Sequence, residues 1–183
     1  MQNKNSNAGF SLIELIVVVA LMGLLIGGSL ITYFIISSHN INKAKGFIED
    51  ALNEGRNRAM STQAKNWEVV ITEDDVKVYK TDMDTNNVID ITGNKIPGSV
   101  SVKLQQSNSP ATYNLSSADY DSINISFKLL SGEVSKVSVI KDGTAQELFS
   151  GTEAQYCDII LTYRNKTKKI RVFYATGKFV ADD

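Results

Sequence analysis

Residues 8–36 determine how the rest of the chain is organised, and they read Ala-Gly-Phe-Ser-Leu-Ile-Glu-Leu-Ile-Val-Val-Val-Ala-Leu-Met-Gly-Leu-Leu-Ile-Gly-Gly-Ser-Leu-Ile-Thr-Tyr-Phe-Ile-Ile. From Phe10 to Ile36 the only charged side chain is that of Glu14. An α-helix rises about 1.5 Å per residue, and about 20 apolar residues cross the hydrocarbon of a bilayer. Residues 10–36 therefore predict a transmembrane helix that carries one carboxylate just inside its first end.

The carboxylate of Glu14 requires an explanation, because a charge at the centre of a membrane helix costs roughly 2.5–3.5 kcal/mol, and less near the interface. The segment contains no Lys or Arg to pair with it. A cut just before Phe10 would create a free amine four residues away, and positions four apart share one face of a helix. The pattern therefore predicts staggered subunits in which the amine of one chain pairs with Glu14 of its neighbour.

The six residues Gly9-Phe10-Ser11-Leu12-Ile13-Glu14, after a short polar leader and before an apolar run, resemble the class III signal of type IV pilins and type II secretion pseudopilins. The resemblance implies that a prepilin peptidase cleaves between Gly9 and Phe10 and N-methylates Phe10, and that Glu14 is needed for assembly. It also implies other pilin subunits and an inner-membrane assembly platform as partners. The expected location is the cell membrane, as a single-pass protein, before assembly and an extracytoplasmic filament afterwards.

Two other interpretations of the N-terminus compete with this one. A secretory signal peptide has an apolar region of about 7–15 residues and a small-residue cleavage site, which does not fit the length of this segment or its internal Glu14. An uncut membrane anchor accounts for the length and leaves Glu14 unexplained. The alternative function is then that of an unprocessed bitopic membrane protein with an extracytoplasmic ligand- or DNA-binding domain, and the mass of the mature N-terminus distinguishes the two functions.

Beyond Ile36 the helical period continues, but only one face stays apolar. Polar and charged side chains occupy the positions between the apolar ones, which is the pattern of an amphipathic helix with one buried stripe. We expect this helix to end between residues 62 and 66. The residues of the predicted stripe are Ile41, Ala44, Ile48, Ala51, Leu52, Gly55 and Ala59.

From Trp67 onward apolar and polar residues alternate with a period of two, which is typical of half-buried antiparallel strands. The polar segments 82–98 and 105–122 are interpreted as loops. The predicted fold class is α+β, with a long N-terminal α-helix packed on an antiparallel β-sheet domain; its first half spans the membrane and its second half is amphipathic. The strand segments are 67–72, 76–78, 100–104, 123–129, 137–139, 157–164 and 169–174.

Length and composition agree with one membrane helix and one compact domain. The chain has 183 residues, of which 43% are apolar, and its formal net charge is −1, so nothing attracts it as a whole to nucleic acid or to anionic lipid. A single cysteine excludes an intrachain disulfide. The predicted divisions are a leader at 1–9, a membrane or filament-core helix at 10–36, an amphipathic helix at 37–66 and a β domain at 67–183.

Residues that could carry chemistry are few, and the sequence predicts no enzyme and no cofactor. His39 has no plausible Ser or Cys partner for catalysis nearby in sequence and is interpreted as a solvated residue at the membrane boundary, and Cys157 stands among apolar residues of a strand, as a small core residue does. The segment Asp82-Met-Asp84-Thr-Asn86 resembles the opening of an EF-hand calcium loop. That loop has Gly at its sixth position and Glu at its twelfth, where this chain has Asn87 and Gly93, so no metal is predicted.

Five cations stand close together around a hairpin turn predicted at residues 165–167. Clustered Lys and Arg are what phosphate contacts require, so this patch is a candidate for DNA or another polyanion, against the simpler interpretation of a solvated hairpin tip. Residues 172–179 are loosely similar to minor pseudopilins of the GspH and FimT type, some of which bind DNA, and this favours a minor subunit. The five residues are Arg164, Lys166, Lys168, Lys169 and Arg171.

Overall fold

The computed structural model describes residues 11–61, 65–82, 88–116, 118–149 and 155–182. The chain divides into two compact units, residues 1–36 and residues 37–183. One helix, α1, runs over Leu12–Ser61, and eleven strands follow it among the described residues. The structure is therefore α+β, with antiparallel sheets after an N-terminal helix, as the sequence predicts.

The part of α1 in the first unit has apolar side chains at its surface. Leu12, Leu24 and Leu25 are each more than 70% exposed. Within the described part of the chain, no helix has the length and hydropathy together that a membrane crossing requires. The span predicted for residues 10–36 stays a prediction.

The part of α1 in the second unit buries one apolar stripe, and the predicted spacing is confirmed. The helix ends at Ser61, one residue before the predicted range of 62–66, and the first strand begins at Lys65. The stripe buries Ile41, Ala44, Ile48, Ala51, Leu52, Gly55 and Ala59.

The strands form two antiparallel sheets, whereas the sequence predicted one. The first sheet has the order β3-β2-β1-β6-β7-β8. Its strands are β1 (Lys65–Thr72), β2 (Asp75–Asp82), β3 (Val88–Lys95), β6 (Ser122–Phe127), β7 (Val134–Lys141) and β8 (Thr144–Phe149).

The second sheet has the order β11-β10-β9-β4-β5. Both sheets turn one face to a single core, which also contains the buried stripe of α1. Burial of this apolar area is the main source of stability. The strands of the second sheet are β4 (Ser101–Gln106), β5 (Thr112–Asn114), β9 (Tyr156–Tyr163), β10 (Lys166–Phe173) and β11 (Phe179–Asp182).

Four strands were not predicted, and all four are edge strands of the two sheets: β3, β8, β5 and β11. The interpretation of residues 82–98 as a loop is wrong because β3 lies within it, and β5 lies within the predicted loop 105–122. An edge strand needs fewer apolar residues, since charged and polar side chains protect it from pairing with other chains. The burial of β8 shows this directly, because its first four residues are exposed.

Glycines allow close packing where α1 meets the two sheets. A Cβ on Gly55 would lie 2.8 Å from Cγ2 of Val69, so the absence of a side chain lets the helix approach β1. At the end of α1, the N–H of Leu130 donates to the carbonyl oxygen of Ala59 at 2.9 Å. Gly132 and Gly177 both have positive φ and lie against each other beside this end, where a Cβ on Gly177 would overlap the carbonyl oxygen of Gly132.

Candidate functional site at the helix start and the basic hairpin

The start of α1 is capped by Ser11 and Glu14. The carbonyl oxygen of Ser11 accepts the first helical bond, from the N–H of Leu15, at 3.2 Å. The N–H of Ser11 in turn donates to Oε2 of Glu14 at 2.9 Å. This is one half of a capping box, in which the acid three residues into the helix satisfies a backbone donor that has no partner within the helix.

The cap gives Glu14 a second role. From the sequence, this carboxylate was explained only by pairing with the N-terminal amine of a neighbouring subunit. The sequence contains the pattern that predicts this cap, since Ser-x-x-Glu before an apolar run is a capping box. A carboxylate in the first turn is also favoured by the helix dipole. One accepted bond leaves this carboxylate able to accept more, so it can serve the cap and still receive a cation. Gly9 and Phe10, the predicted cleavage and methylation residues, lie outside the described residues.

The five predicted cations belong to the β9–β10 hairpin, whose turn lies at Arg164 and Asn165, earlier than predicted. Because side chains alternate along a strand, Lys166 and Lys168 share the face of the buried Ile170, while Lys169 and Arg171 lie on the outer face. The structure therefore divides the predicted patch into two groups.

On the outer face, Asp158 neutralises much of the charge of Lys169 and Arg171. Nε and Nη2 of Arg171 donate to the two carboxylate oxygens of Asp158 at 2.8 and 3.0 Å, and Nζ of Lys169 lies 3.3 Å from Oδ2. The side chain of Asp158 is only 8% exposed. The ring of Tyr156 lies under the guanidinium of Arg171, 4.0 Å from its carbon Cζ.

These contacts set the direction of two pKa shifts. Burial alone would raise the pKa of Asp158, but the hydrogen bonds from Arg171 and Lys169 outweigh it and lower this pKa. The hydrogen bond to Asp158 raises the pKa of Arg171, and desolvation opposes this shift without reversing it. The group is therefore fully charged at neutral pH, and its geometry is that of a bidentate ion pair.

At the hairpin tip, three cations stand apart from Asp158. Arg164 has a positive φ of 55°, and its Cζ lies 5.2 Å from the ring centre of Tyr163. Nζ of Lys166 donates to Oγ of Ser38 in the second unit. The DNA-binding prediction for all five residues stays a prediction, and only two of the five, Lys169 and Arg171, pair with Asp158 in the contacts described above.

A polar pocket of about 480 Å³ lies on the outer face of the second sheet, between this ion pair and the loop after β4. Ser107 accepts the backbone N–H of Gln155 at 3.2 Å, so its hydroxyl hydrogen can point into the pocket. Sequence reasoning missed this pocket, since its walls come together only when β4 pairs with β9.

The remaining candidates are Cys157, His39 and the acidic segment at residues 82–86. Cys157 is fully buried, and this burial raises the pKa of its thiol to about 12, so it is a core residue and not a nucleophile. His39 is exposed. Asp84 and Asn86 lie outside the described residues, and elsewhere in the described ranges no three acidic, His or Cys side chains form a group suited to a metal.

Comparison with known proteins identifies the N-terminus. A family model described as the prokaryotic N-terminal methylation motif matches residues 4–30. No curated protein and no solved structure matches the chain. The matched range contains Gly9, Phe10 and Glu14, and the resemblance inferred from the sequence is thereby confirmed. The chain carries at its N-terminus the methylation motif that is the prepilin signal of type IV pilins and pseudopilins.

Proposed function

We propose that the protein is the precursor of a structural subunit, of the minor class, in a type IV pilus or type II secretion pseudopilus, with no catalytic activity of its own. A prepilin peptidase cleaves between Gly9 and Phe10 and N-methylates Phe10. Residues 10–36 hold the chain in the cell membrane, and an inner-membrane platform then extracts it into an extracytoplasmic filament. The observation that carries the proposal is the match of the methylation motif to residues 4–30.

In the filament, Glu14 pairs with the Phe10 amine of an adjacent subunit. The cap supports this role, because it holds the carboxylate at the first turn of α1, 2.9 Å from the Ser11 N–H. A capping hydrogen bond contributes about 1 kcal/mol. An ion pair removed from water is stronger, since Coulomb attraction increases as the effective dielectric constant falls. A neighbouring ammonium therefore gives Glu14 a better partner than its own backbone alone.

The first experiment is the intact mass of the protein recovered from the membranes and the sheared filaments of its host. We expect a chain that begins at Phe10 and carries one methyl group. A Gly9→Leu variant serves as the control and should keep residues 1–9. Wild-type protein that still begins at Met1 would exclude the proposal and select the unprocessed membrane protein instead.

The second experiment separates the cap of Glu14 from its charge. Glu14→Gln retains an acceptor for the Ser11 N–H, because Gln serves in a capping box as Glu does, but it has no charge for an amine. Glu14→Leu loses both. We expect both variants in the membrane fraction and neither in sheared filaments. Normal incorporation of Glu14→Gln would show that the cap suffices and would refute the amine pairing.

A further inference from the structure

The polar pocket on the outer face of the second sheet has walls that both donate and accept hydrogen bonds. Ser107 and Ser109 each accept a backbone N–H, at 3.2 and 3.1 Å, and these bonds leave both hydroxyl hydrogens able to donate. The carboxamides of Gln105 and Asn108 also line the pocket, and each offers donors and an acceptor. A ligand that matches these walls must itself donate and accept.

The charged groups around the pocket nearly balance. The walls carry the ion-pair group of Lys169, Arg171 and Asp158. Asp182 lies opposite Lys169 where β10 pairs with β11, and its charge also acts on Arg171. Lys103 stands further along the same face of the sheet and does not line the pocket. Two cations therefore meet two carboxylates, and this balance favours a neutral ligand over a small anion or cation.

The polar groups of the walls are held in place by contacts within the protein. Arg171 uses two of its five N–H groups on Asp158, at 2.8 and 3.0 Å, and its guanidinium lies 4.0 Å from the ring centre of Tyr156. Nε2 of Gln106 donates to the carbonyl oxygen of Leu148 at 2.6 Å, which joins the two sheets at the pocket wall. Side chains that are already fixed lose little entropy when a ligand binds.

An exposed apolar strip borders the polar walls. The ring centres of Tyr156 and Phe173 lie 6.0 Å apart in an edge-to-face arrangement, and Phe173 is 36% exposed. Val180 lies opposite Arg171 on β11 and is 57% exposed. The negative face of an aromatic ring attracts positively polarised C–H groups. The surface as a whole therefore suits a ligand that has both hydroxyl groups and C–H faces.

We propose that this pocket, together with the apolar strip beside it, binds a neutral oligosaccharide. The hydroxyl groups of a sugar both donate and accept, as the mixed walls require, and its C–H face packs on Phe173. The pocket volume of about 480 Å³ lies within the range of small-molecule sites, roughly 300–1,000 Å³. The inference is independent of the proposed function, because every residue that carries it belongs to the second unit.

The test is an NMR titration of the isotope-labelled full chain in micelles of lauryldimethylamine oxide, since a detergent with a sugar headgroup would compete. The probes are the neutral trisaccharides cellotriose, chitotriose and maltotriose, with inorganic phosphate and a short DNA duplex as charged ligands. We expect at least one trisaccharide to move the amide signals of Ser107, Asn108 and Tyr156 in a saturable way, with a Kd on the order of 1 mM.

Variants locate the binding. Gln105→Ala/Asn108→Ala should weaken it about tenfold or more, because the hydrogen bonds of two carboxamides are lost, while thermal unfolding stays unchanged. Phe173→Ala should weaken it through the apolar strip alone. Asn94→Ala/Gln146→Ala is the matched control and should bind as the wild type does, because these two exposed amides belong to the first sheet.

Three results would overturn the inference. The first is the absence of any shift at about 20 mM of each trisaccharide, well above the expected Kd. The second is unchanged binding by both Gln105→Ala/Asn108→Ala and Phe173→Ala, which would place the sugar elsewhere on the protein. The third is a response of the same amides to phosphate or DNA that exceeds their response to every trisaccharide, which would assign the pocket to an anion.

Discussion

The sharpest prediction about the fold concerns two glycines of α1 that differ only in what surrounds them. Around Gly46, apart from its chain neighbours and the nearby backbone of the helix itself, no heavy atom lies within 4 Å of where a Cβ would be. Around Gly55 the same Cβ would meet Cγ2 of Val69 at 2.8 Å and Cε2 of Phe127 at 3.3 Å. Replacing each glycine with Ala therefore tests the close approach of the helix to the first sheet.

The magnitudes follow from two opposing effects. In a helix interior, Gly→Ala gains about 0.8–1.0 kcal/mol from propensity, and both sites share this gain. At Gly55 the methyl group must move its neighbours by roughly 1 Å to reach the ordinary contact distance of about 3.5–4.0 Å. Overpacking of this kind costs about 1–3 kcal/mol. Gly46→Ala should therefore stabilise the domain by about 1 kcal/mol, and Gly55→Ala should be about 1–3 kcal/mol less stable than Gly46→Ala.

The measurement is urea unfolding of residues 37–183, which form one compact unit, with the free energy of unfolding taken from the midpoint and slope. Combining Gly55→Ala with Val69→Ala should recover part of the loss, since the removed methyl groups of Val69 make room for the new one. Such a gain beyond additivity is the signature of direct contact. Equal stabilisation by both alanines would refute the close approach.

Three further predictions concern charge, the thiol and the glycine turns. Because the folded pKa of Asp158 is lowered, the stability that its ionised carboxylate contributes is present above its unfolded pKa of about 4 and is lost as pH falls through the folded pKa. Asp158→Asn should therefore cost on the order of 1–3 kcal/mol of stability at pH 7, since the carboxylate is buried and its two cations are about one third exposed. In a pH series of urea midpoints, the stability of this variant should depend less on acid than that of the wild type. The buried thiol of Cys157, with a pKa of about 12, should react with an alkylating reagent about a thousandfold more slowly in the folded protein than a free cysteine, and fast labelling of the native state would contradict its burial. Gly177→Ala should lower the melting temperature more than Gly143→Ala does. Both glycines have positive φ, so either alanine loses about 1–2 kcal/mol of stability, but only at Gly177 would the new Cβ also overlap a neighbouring carbonyl oxygen.

The inner strands of both sheets could be predicted from alternation, because each has two neighbours and one buried face. Ile123, Ile125 and Phe127 of β6 show the pattern, and all three are fully buried or nearly so. The division into two sheets could not be predicted in this way. Alternation tells which face of a strand is buried, but membership of a sheet is decided by pairing, and β4 pairs with β9 across more than fifty residues. The edge strands could not be recognised from alternation, because polar side chains that protect an unpaired edge interrupt the pattern.

The helix start shows how much a short-range signal can predict. Glu14 and its six-residue context identify the methylation motif, and the same residues contain the Ser11–Glu14 cap. Both depend on spacing within one turn of helix, which the sequence displays directly. The contacts of the basic hairpin depend on which residues of β9 and β10 face each other, and the sequence alone predicted the wrong pairing.

The position of one turn decides which cations of the hairpin lie opposite Asp158. A three-residue turn at 165–167, as the sequence predicted, would pair Arg164 with Lys168 and place Arg171 opposite Leu161. The observed turn at Arg164 and Asn165 pairs Lys166 with Tyr163 and places Arg171 opposite Asp158. Asn tolerates positive φ better than Arg does, so turn preferences favoured Asn165 for the left-handed position that Arg164 occupies. That difference in register brings Asp158 to the two outer cations, while Lys166 near the turn donates to Ser38.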